Sequence, residues 1–135
     1  MPQSRTLRSR ARAIVNADQF NVSHYLAVNP IVIVHLIGAL LAIGVSLPLV
    51  AGRVRMNHWY GIRVPQAFES DDRWLEINRY GGRLVLFWGV AMAVMAAVGA
   101  FLRPHVWVTY DWSALIVILG GLAVVVFLIS RHVRH

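Results

Sequence analysis

Residues 31–50 read IVIVHLIGALLAIGVSLPLV, an apolar stretch in which His35 is the only ionisable residue. A helix that spans a membrane needs about 20 consecutive, mostly apolar residues, because each residue adds about 1.5 Å across roughly 30 Å of hydrocarbon. This stretch meets that requirement. Asn29 and Pro30 precede it, and they predict an N-cap followed by proline at the first helical position. Pro48 is expected to kink or end the helix near its far side.

Two further apolar runs follow, over residues 84–102 and 113–130. The chain of 135 residues is 58% hydrophobic and 14% charged, whereas an ordinary soluble domain is about half apolar and roughly a quarter charged. A chain of this size has no outer layer in which three apolar helices could be buried. We therefore predict an all-α integral membrane protein with three transmembrane helices, at about 31–50, 84–102 and 113–130.

The remaining composition narrows the class of protein further. The net charge is +7 and every basic residue is arginine, but next to membrane spans this charge does not indicate a nucleic-acid partner. The absence of cysteine excludes disulfides and thiolate chemistry. No secretory signal peptide is expected, because the first apolar run begins about thirty residues into the chain. The expected surroundings are the lipid bilayer.

The chain divides into a basic N-terminal tail over 1–29, a three-helix membrane domain over 30–131 and a C-terminal tail over 132–135. The loop between the first two spans and the segment from residue 131 to the C-terminus carry eight arginines, against three near the other span ends. Because arginine-rich loops stay in the cytoplasm, this bias predicts an outside N-terminus and an inside C-terminus.

Two patterns concern the packing of the spans against one another and their position relative to the membrane interface. Small residues recur at four-residue spacing, which lets helix backbones approach closely in lipid. These pairs and triplets are Gly38 with Ala42, Gly89 with Ala93 and Ala97, and Ala96 with Ala100. Trp107, Tyr110 and Trp112 lie where an aromatic belt at the membrane interface is expected.

The first loop, residues 53–83, reads RVRMNHWYGIRVPQAFESDDRWLEINRYGGR. It holds six of the thirteen arginines and four of the six acidic residues, and loops of this length are usually functional or structured. Tyr60 and Gly61 predict a turn, and Val64 before Pro65 predicts an extended residue.

The second half of this loop predicts a short helix over about residues 71–81. Ser70 followed by Asp71 and Asp72 is typical of a helix start. The predicted ion pairs are Glu69 with Arg73 and Glu76 with Arg79. Gly81 and Gly82 either hinge this helix into the second span or allow tight packing against another span.

The stretch MNHWYGIRVPQAFESDDRWLEINRYGG, residues 56–82, resembles the signature of the SdpI family of small bacterial membrane proteins. The matching positions, which we take as motif and candidate binding residues, are Asn57, Tyr60, Gly61, Arg63, Pro65, Ser70, Trp74, Asn78, Arg79 and Gly82. Arg55 and Val64 depart from the pattern, where the family often has proline and threonine. The resemblance implies a three-helix domain in the bacterial cytoplasmic (inner) membrane, in a family named for an immunity protein.

Each candidate residue also has a structural interpretation. Arg63 can anchor an anionic group or pair with an acid of its own loop. Asn57 and Asn78 can bracket a polar site or satisfy backbone groups. We interpret Trp59 and Trp74 as anchoring and packing residues rather than a ligand-stacking pair.

His35 is an ionisable residue within a span and is therefore a functional candidate, although its shallow position allows contact with the interface. We expect no metal site and no cofactor, since no ligand spacing is present. No catalytic constellation supports an enzyme.

Two classes of function remain. The first is immunity or resistance to a membrane-active toxin peptide, which would then be the partner of the loop. The second is an accessory subunit that packs against another membrane protein or against copies of itself as a homo-oligomer.

Overall fold

The computed structural model describes residues 29–102 and 104–134. It contains three α-helices, which are α1 (Pro30–Val50), α2 (Asp71–Ala100) and α3 (Trp107–Val133). Short 3₁₀ turns occupy Pro65–Phe68 and Pro104–Val106, and the described residues form no strand. Each α-helix is long and apolar enough to cross a membrane, so the prediction of an all-α, multi-pass membrane protein is confirmed. Residues 1–28 of the predicted basic tail over 1–29 lie outside the described residues.

The N-terminus of α1 is capped as the sequence predicts. The Asn29 side-chain oxygen accepts a hydrogen bond from the Ile31 amide at 2.9 Å, and Pro30 takes the first helical position. The Asn29 amide group also donates to Asp111 at 2.7 Å, which ties the N-terminus of α1 to α3. Pro48 lies inside α1, and the helix ends two residues later at Val50.

The second helix differs from the predicted arrangement in one respect. The predicted loop helix over 71–81 exists, but it is the first part of α2, which continues without interruption through Gly81 and Gly82 to Ala100. At 1.5 Å per residue, the 30 residues of α2 extend about 45 Å, well beyond roughly 30 Å of hydrocarbon. Since the apolar run begins only at residue 84, we expect the first three turns of α2 to project from the membrane.

Small residues on α2 form its contact with α1. A Cβ atom added at Gly89 would lie 3.1 Å from the Ala42 Cβ atom, and one added at Gly38 would collide with the Met92 side chain. The buried positions of α2 within the bilayer are Gly89, Met92, Ala96 and Gly99. The small-residue pattern thus identifies part of this interface, whereas Ala97 and Ala100 face outward.

The third helix packs mainly against α2, and it also meets α1 in a shared core that contains Val32, Ala96 and Ala114. Trp88 donates its indole N–H to the Val117 carbonyl at 3.0 Å, and the Tyr110 hydroxyl donates to the Met95 carbonyl at 2.8 Å. Tyr110 is only 5% exposed and so is a helix-packing residue rather than the belt residue we predicted. The helix extends through Val133, so residues 132 and 133 belong to α3 and not to a tail.

Candidate functional site

The loop between α1 and α2 folds with the projecting turns of α2 into one unit, residues 51–82, which we call the cap. Its hydrophobic core lies at the end of the bundle where α3 also ends. The buried members of that core are Ala67, Trp74, Ile77 and Val133. All ten motif residues belong to the cap, so the structure brings the sequence-predicted site residues into one region.

Asn57 organises the first turn of the cap. Its side-chain oxygen accepts from the backbone amides of Trp59 and Tyr60, both at 2.8 Å, and its amide group donates to the Arg55 carbonyl at 2.8 Å. The side chain therefore satisfies backbone groups of its own loop. The Tyr60 hydroxyl then donates to the Val45 carbonyl of α1, and burial raises the pKa of this phenol above its ordinary value of 10.0.

Gly61 and Asn78 fit together. Gly61 has φ of 114°, a conformation that favours glycine, and a Cβ atom there would lie 2.5 Å from the Asn78 side-chain oxygen. That oxygen accepts from the Ile62 amide at 2.6 Å, while the Asn78 amide group donates to the Trp74 carbonyl at 3.0 Å. Asn78 is 1% exposed, so it joins the loop to α2 from within the core and does not bracket an open polar site.

Arg63 and Pro65 shape the second half of the loop. The Arg63 guanidinium donates to the His58 carbonyl at 2.7 Å and forms no ion pair among the described residues, so the alternative of pairing with a loop acid is not seen there. Val64 is extended, with φ of −96° and ψ of 151°, as its place before proline predicts. Pro65 then begins the 3₁₀ turn.

Trp74 is the centre of the cap core. It is fully buried, its indole N–H donates to the Val54 carbonyl at 2.9 Å, and its ring centroid lies 5.2 Å from that of Phe68. Trp59, by contrast, is 90% exposed. The two tryptophans are therefore far from equivalent, and they do not form a stacking pair.

The remaining motif residues join the cap to the helices. Ser70 caps α2 by accepting from the Arg73 amide at 3.1 Å, as predicted. The Arg79 guanidinium lies directly over Gly52, where an added Cβ atom would collide with it. Gly82 lets α2 approach α1, because a Cβ atom there would lie 2.9 Å from the Leu49 Cβ atom and 3.2 Å from the Val50 nitrogen.

The charged side chains pair differently from the prediction. Glu76 binds Arg73 at 2.8 Å, and its other oxygen lies 3.3 Å from His132 Nε2 at the end of α3. The His132 ring stacks on Tyr80 with centroids 3.9 Å apart. Neither predicted pair forms among the described residues, because Glu69 precedes the helix and Arg79 lies over Gly52.

An open cleft of about 510 Å³ lies on the cap. Arg55 and Asp71 give it one group of each charge, and Leu75 and Met56 supply apolar walls beside Gly52 and the fully buried Trp74. No set of three or more His, Asp or Glu side chains that could hold a metal ion occurs in the part of the chain that the structure describes.

The ten motif residues are spread over residues 57–82 and fold together into the cap. The SdpI/YfhL protein family matches residues 53–130, which include most of the cap and the two helices that follow it. The chain belongs to this family. No curated protein and no solved structure matches it.

The SdpI/YfhL motif residues mostly hold the cap together, whereas the cleft is lined mainly by residues that sequence reasoning missed. In the sequence Arg55 stands out only as a departure from the family pattern, and Asp71 only as an acid at a helix start. Met56 lies in the motif stretch, but nothing in the sequence marks it as a binding residue. The motif alone does not reveal the cleft, because the cleft forms only where folding brings residues 52–56 against the first turns of α2.

Proposed function

We propose that this SdpI/YfhL-family protein protects a bacterial cell against a membrane-active toxin peptide, and that the cap is the surface that meets the peptide. Family membership supports a role of this kind, since the family is named for an immunity protein. The observation that carries the proposal is the cleft, which offers a cation, an anion and apolar walls together. A short amphipathic peptide presents the complementary groups.

The exposed part of the cap adds to this argument. Trp59 is 90% exposed although the loop around it is held by the hydrogen bonds of Asn57. Aromatic side chains on a preorganised loop supply contact area at little entropic cost, and they are common anchors in binding surfaces. The cap therefore combines a fixed frame with an exposed anchor.

Deletion of the gene is expected to sensitise cells to at least one membrane-active peptide in a panel. Wild-type protein should restore resistance, whereas Arg55→Glu should not, because it reverses the charge in the cleft. Arg53→Glu is the matched control, since Arg53 is also exposed and lies two residues away but does not line the cleft. Minimal inhibitory concentrations, with protein levels checked by immunoblot, measure the effect.

Two results would contradict the proposal at different points. If the deletion strain and the parent are equally sensitive to every peptide, the immunity function fails. If Arg55→Glu restores resistance as well as Arg53→Glu does, immunity stands but the cleft is not the surface that the peptide meets.

We further propose that the cap faces the cytoplasm of the bacterial inner membrane, with the N-terminus outside, so that a peptide applied from outside meets the cap only after crossing the bilayer. The end of α1, the start of α2 and the end of α3 lie together at the cap end. Eight arginines lie at this end, in residues 53–83 and 131–134, and such enrichment is typical of the cytoplasmic side.

Cysteine labelling tests this orientation directly, because the natural chain has no cysteine. In intact cells a membrane-impermeant maleimide should label His105→Cys, which is exposed at the opposite end, but not Trp59→Cys in the cap. Permeabilised cells should show labelling at both positions. The reverse pattern in intact cells would place the cap outside.

A further inference from the structure

A second pocket, with a volume of about 280 Å³, lies between α2 and α3 and shares no lining residue with the cleft of the cap. Its lining residues are Tyr80 of α2 and Leu128, Arg131 and His132 of α3. The rings of Tyr80 and His132 stack with their centroids 3.9 Å apart, which joins the two helices at this point. The pocket is therefore preformed by the packing of the bundle.

The pocket lies at the depth where the membrane surface is expected on both helices. On α2, Tyr80 precedes by one turn the apolar run that begins at residue 84. On α3, the apolar run ends at residue 130, immediately before Arg131. The polar headgroups of phospholipids occupy the layer just outside the hydrocarbon, so they surround this pocket.

Apolar side chains continue from the pocket toward the centre of the bilayer. Leu84 and Phe87 follow Tyr80 by four and seven residues, so they share its face of α2. Val124 precedes Leu128 by four residues and shares its face of α3. Phe87 is 71% exposed and Val124 is 55% exposed. The pocket is thus continuous with apolar surface that can contact an acyl chain.

The charge around the pocket is positive. Arg131 is exposed, and its guanidinium has no acidic partner among the described residues. Arg83, at the start of the apolar run of α2, is also exposed and forms no ion pair in that part of the chain. The acid that reaches His132, Glu76, binds Arg73 at 2.8 Å, so its charge is compensated. Two guanidinium groups therefore remain to attract an anion.

We propose that this pocket binds the headgroup of one anionic phospholipid. The planar guanidinium of Arg131 donates hydrogen bonds to the lipid phosphate, a geometry for which arginine is suited. Arg83 adds positive charge beside it, and the acyl chains lie against the apolar faces of α2 and α3. Basic pockets between transmembrane helices are known sites for lipid headgroups.

The depth of the pocket favours a lipid over a soluble anion. Free phosphate can make the same contact with Arg131, but only a lipid is also held by acyl chains against both helices. A bound lipid bridges α2 and α3 at the end of the bundle where the cap begins. The site is independent of the cleft and of the immunity proposed above.

Native mass spectrometry of the detergent-purified protein tests the proposal. One phosphatidylglycerol per chain should bind more tightly than phosphatidylcholine with the same acyl chains, because only the first has a net negative headgroup. Arg131→Gln should weaken phosphatidylglycerol binding by about tenfold, the size expected when a hydrogen bond to a charged group is lost. Arg134→Gln is the matched control, since Arg134 is also exposed but does not line the pocket. It should leave the affinity nearly unchanged.

Three results would overturn the proposal. The first is equal affinity of the wild-type protein for the two lipids, and the second is equal binding of phosphatidylglycerol by the two glutamine variants. The third is displacement of phosphatidylglycerol by inorganic phosphate as effectively as by added lipid, which would make the pocket a site for a soluble anion.

A second measurement decides the question if Arg131→Gln does not fold. Wild-type protein is placed in nanodiscs of phosphatidylcholine that contain a small fraction of phosphatidylglycerol with a photoreactive group near its headgroup. Cross-links should concentrate in residues 80–87 and 124–132, which surround the pocket. Cross-links spread evenly over the three helices would contradict the proposal.

Discussion

Replacement of Trp74 by alanine is expected to destabilise the cap by about 3–5 kcal/mol, the usual cost of truncating a buried aromatic side chain to alanine. Trp74 is 0% exposed, packs against Phe68 and donates to the Val54 carbonyl. Because the cap projects into water, its core is stabilised by the ordinary hydrophobic effect, and the lost burial acts at full strength. The spans, which are surrounded by lipid, should remain folded.

Trypsin cleavage after Arg79 measures this loss. Arg79 is exposed, but its backbone lies within α2, so cleavage there requires the cap to unfold locally. A cost of about 3 kcal/mol or more corresponds to at least about a hundredfold rise in the unfolded population and in the cleavage rate.

Trp59→Ala is the matched control for this prediction. It removes the same side chain from a position that is 90% exposed, and such surface changes usually alter stability by less than about 0.5 kcal/mol. Similar cleavage rates in the two alanine variants would show that the indole of Trp74 does not hold the cap together.

Local signals in the sequence predicted much of the cap, the start of α1 and the three spans. Ser70 and Asn29 each accept from a backbone amide two or three residues away, and Val64 is extended because the ring of the next residue, Pro65, disfavours the helical conformation. The three spans follow from apolar length alone. Such features depend on neighbouring residues, and so a single sequence contains them.

Other features depend on partners that are distant in sequence. Spacing permits Glu76 to pair with Arg79, but Arg79 packs over Gly52, and Arg73 takes Glu76 instead. Likewise the position of His35 five residues after Pro30 suggests contact with the interface, whereas the side chain is 0% exposed and lies against the Ala114 carbonyl of α3. Tertiary packing decides which of the competing contacts forms. The order of residues along the chain does not reveal that choice.

Gly81 and Gly82 show the same limit for backbone conformation. Paired glycines suggest a hinge, yet positive φ in the described residues occurs at Gly52 and Gly61, and the helix runs straight through residues 81 and 82. Of the two predicted roles, a hinge or tight packing, the two glycines have the second: they allow close packing. Gly81 and Gly82 precede the apolar run that begins at residue 84, so their close packing holds the cap against the ends of the spans.

Replacement of Gly82 by leucine is therefore expected to destabilise the α1–α2 contact by about 3 kcal/mol, at the upper end of typical overpacking costs. Even a Cβ atom would lie 2.9 Å from the Leu49 Cβ atom and 3.2 Å from the Val50 nitrogen, and neither is the free end of a flexible side chain. The two helices must separate where the cap begins. A lower thermal midpoint of the purified protein in detergent, followed by circular dichroism, measures this effect.

Gly44→Leu separates overpacking from the general effect of adding a side chain to a glycine within a helix. Gly44 lies in α1 and has nothing within 4 Å of its added Cβ atom. Leucine is a better helix former than glycine by several tenths of a kcal/mol, so this variant should melt at the wild-type temperature or above it. If both leucine variants lower the thermal midpoint equally, the close approach at Gly82 does not hold α1 against α2.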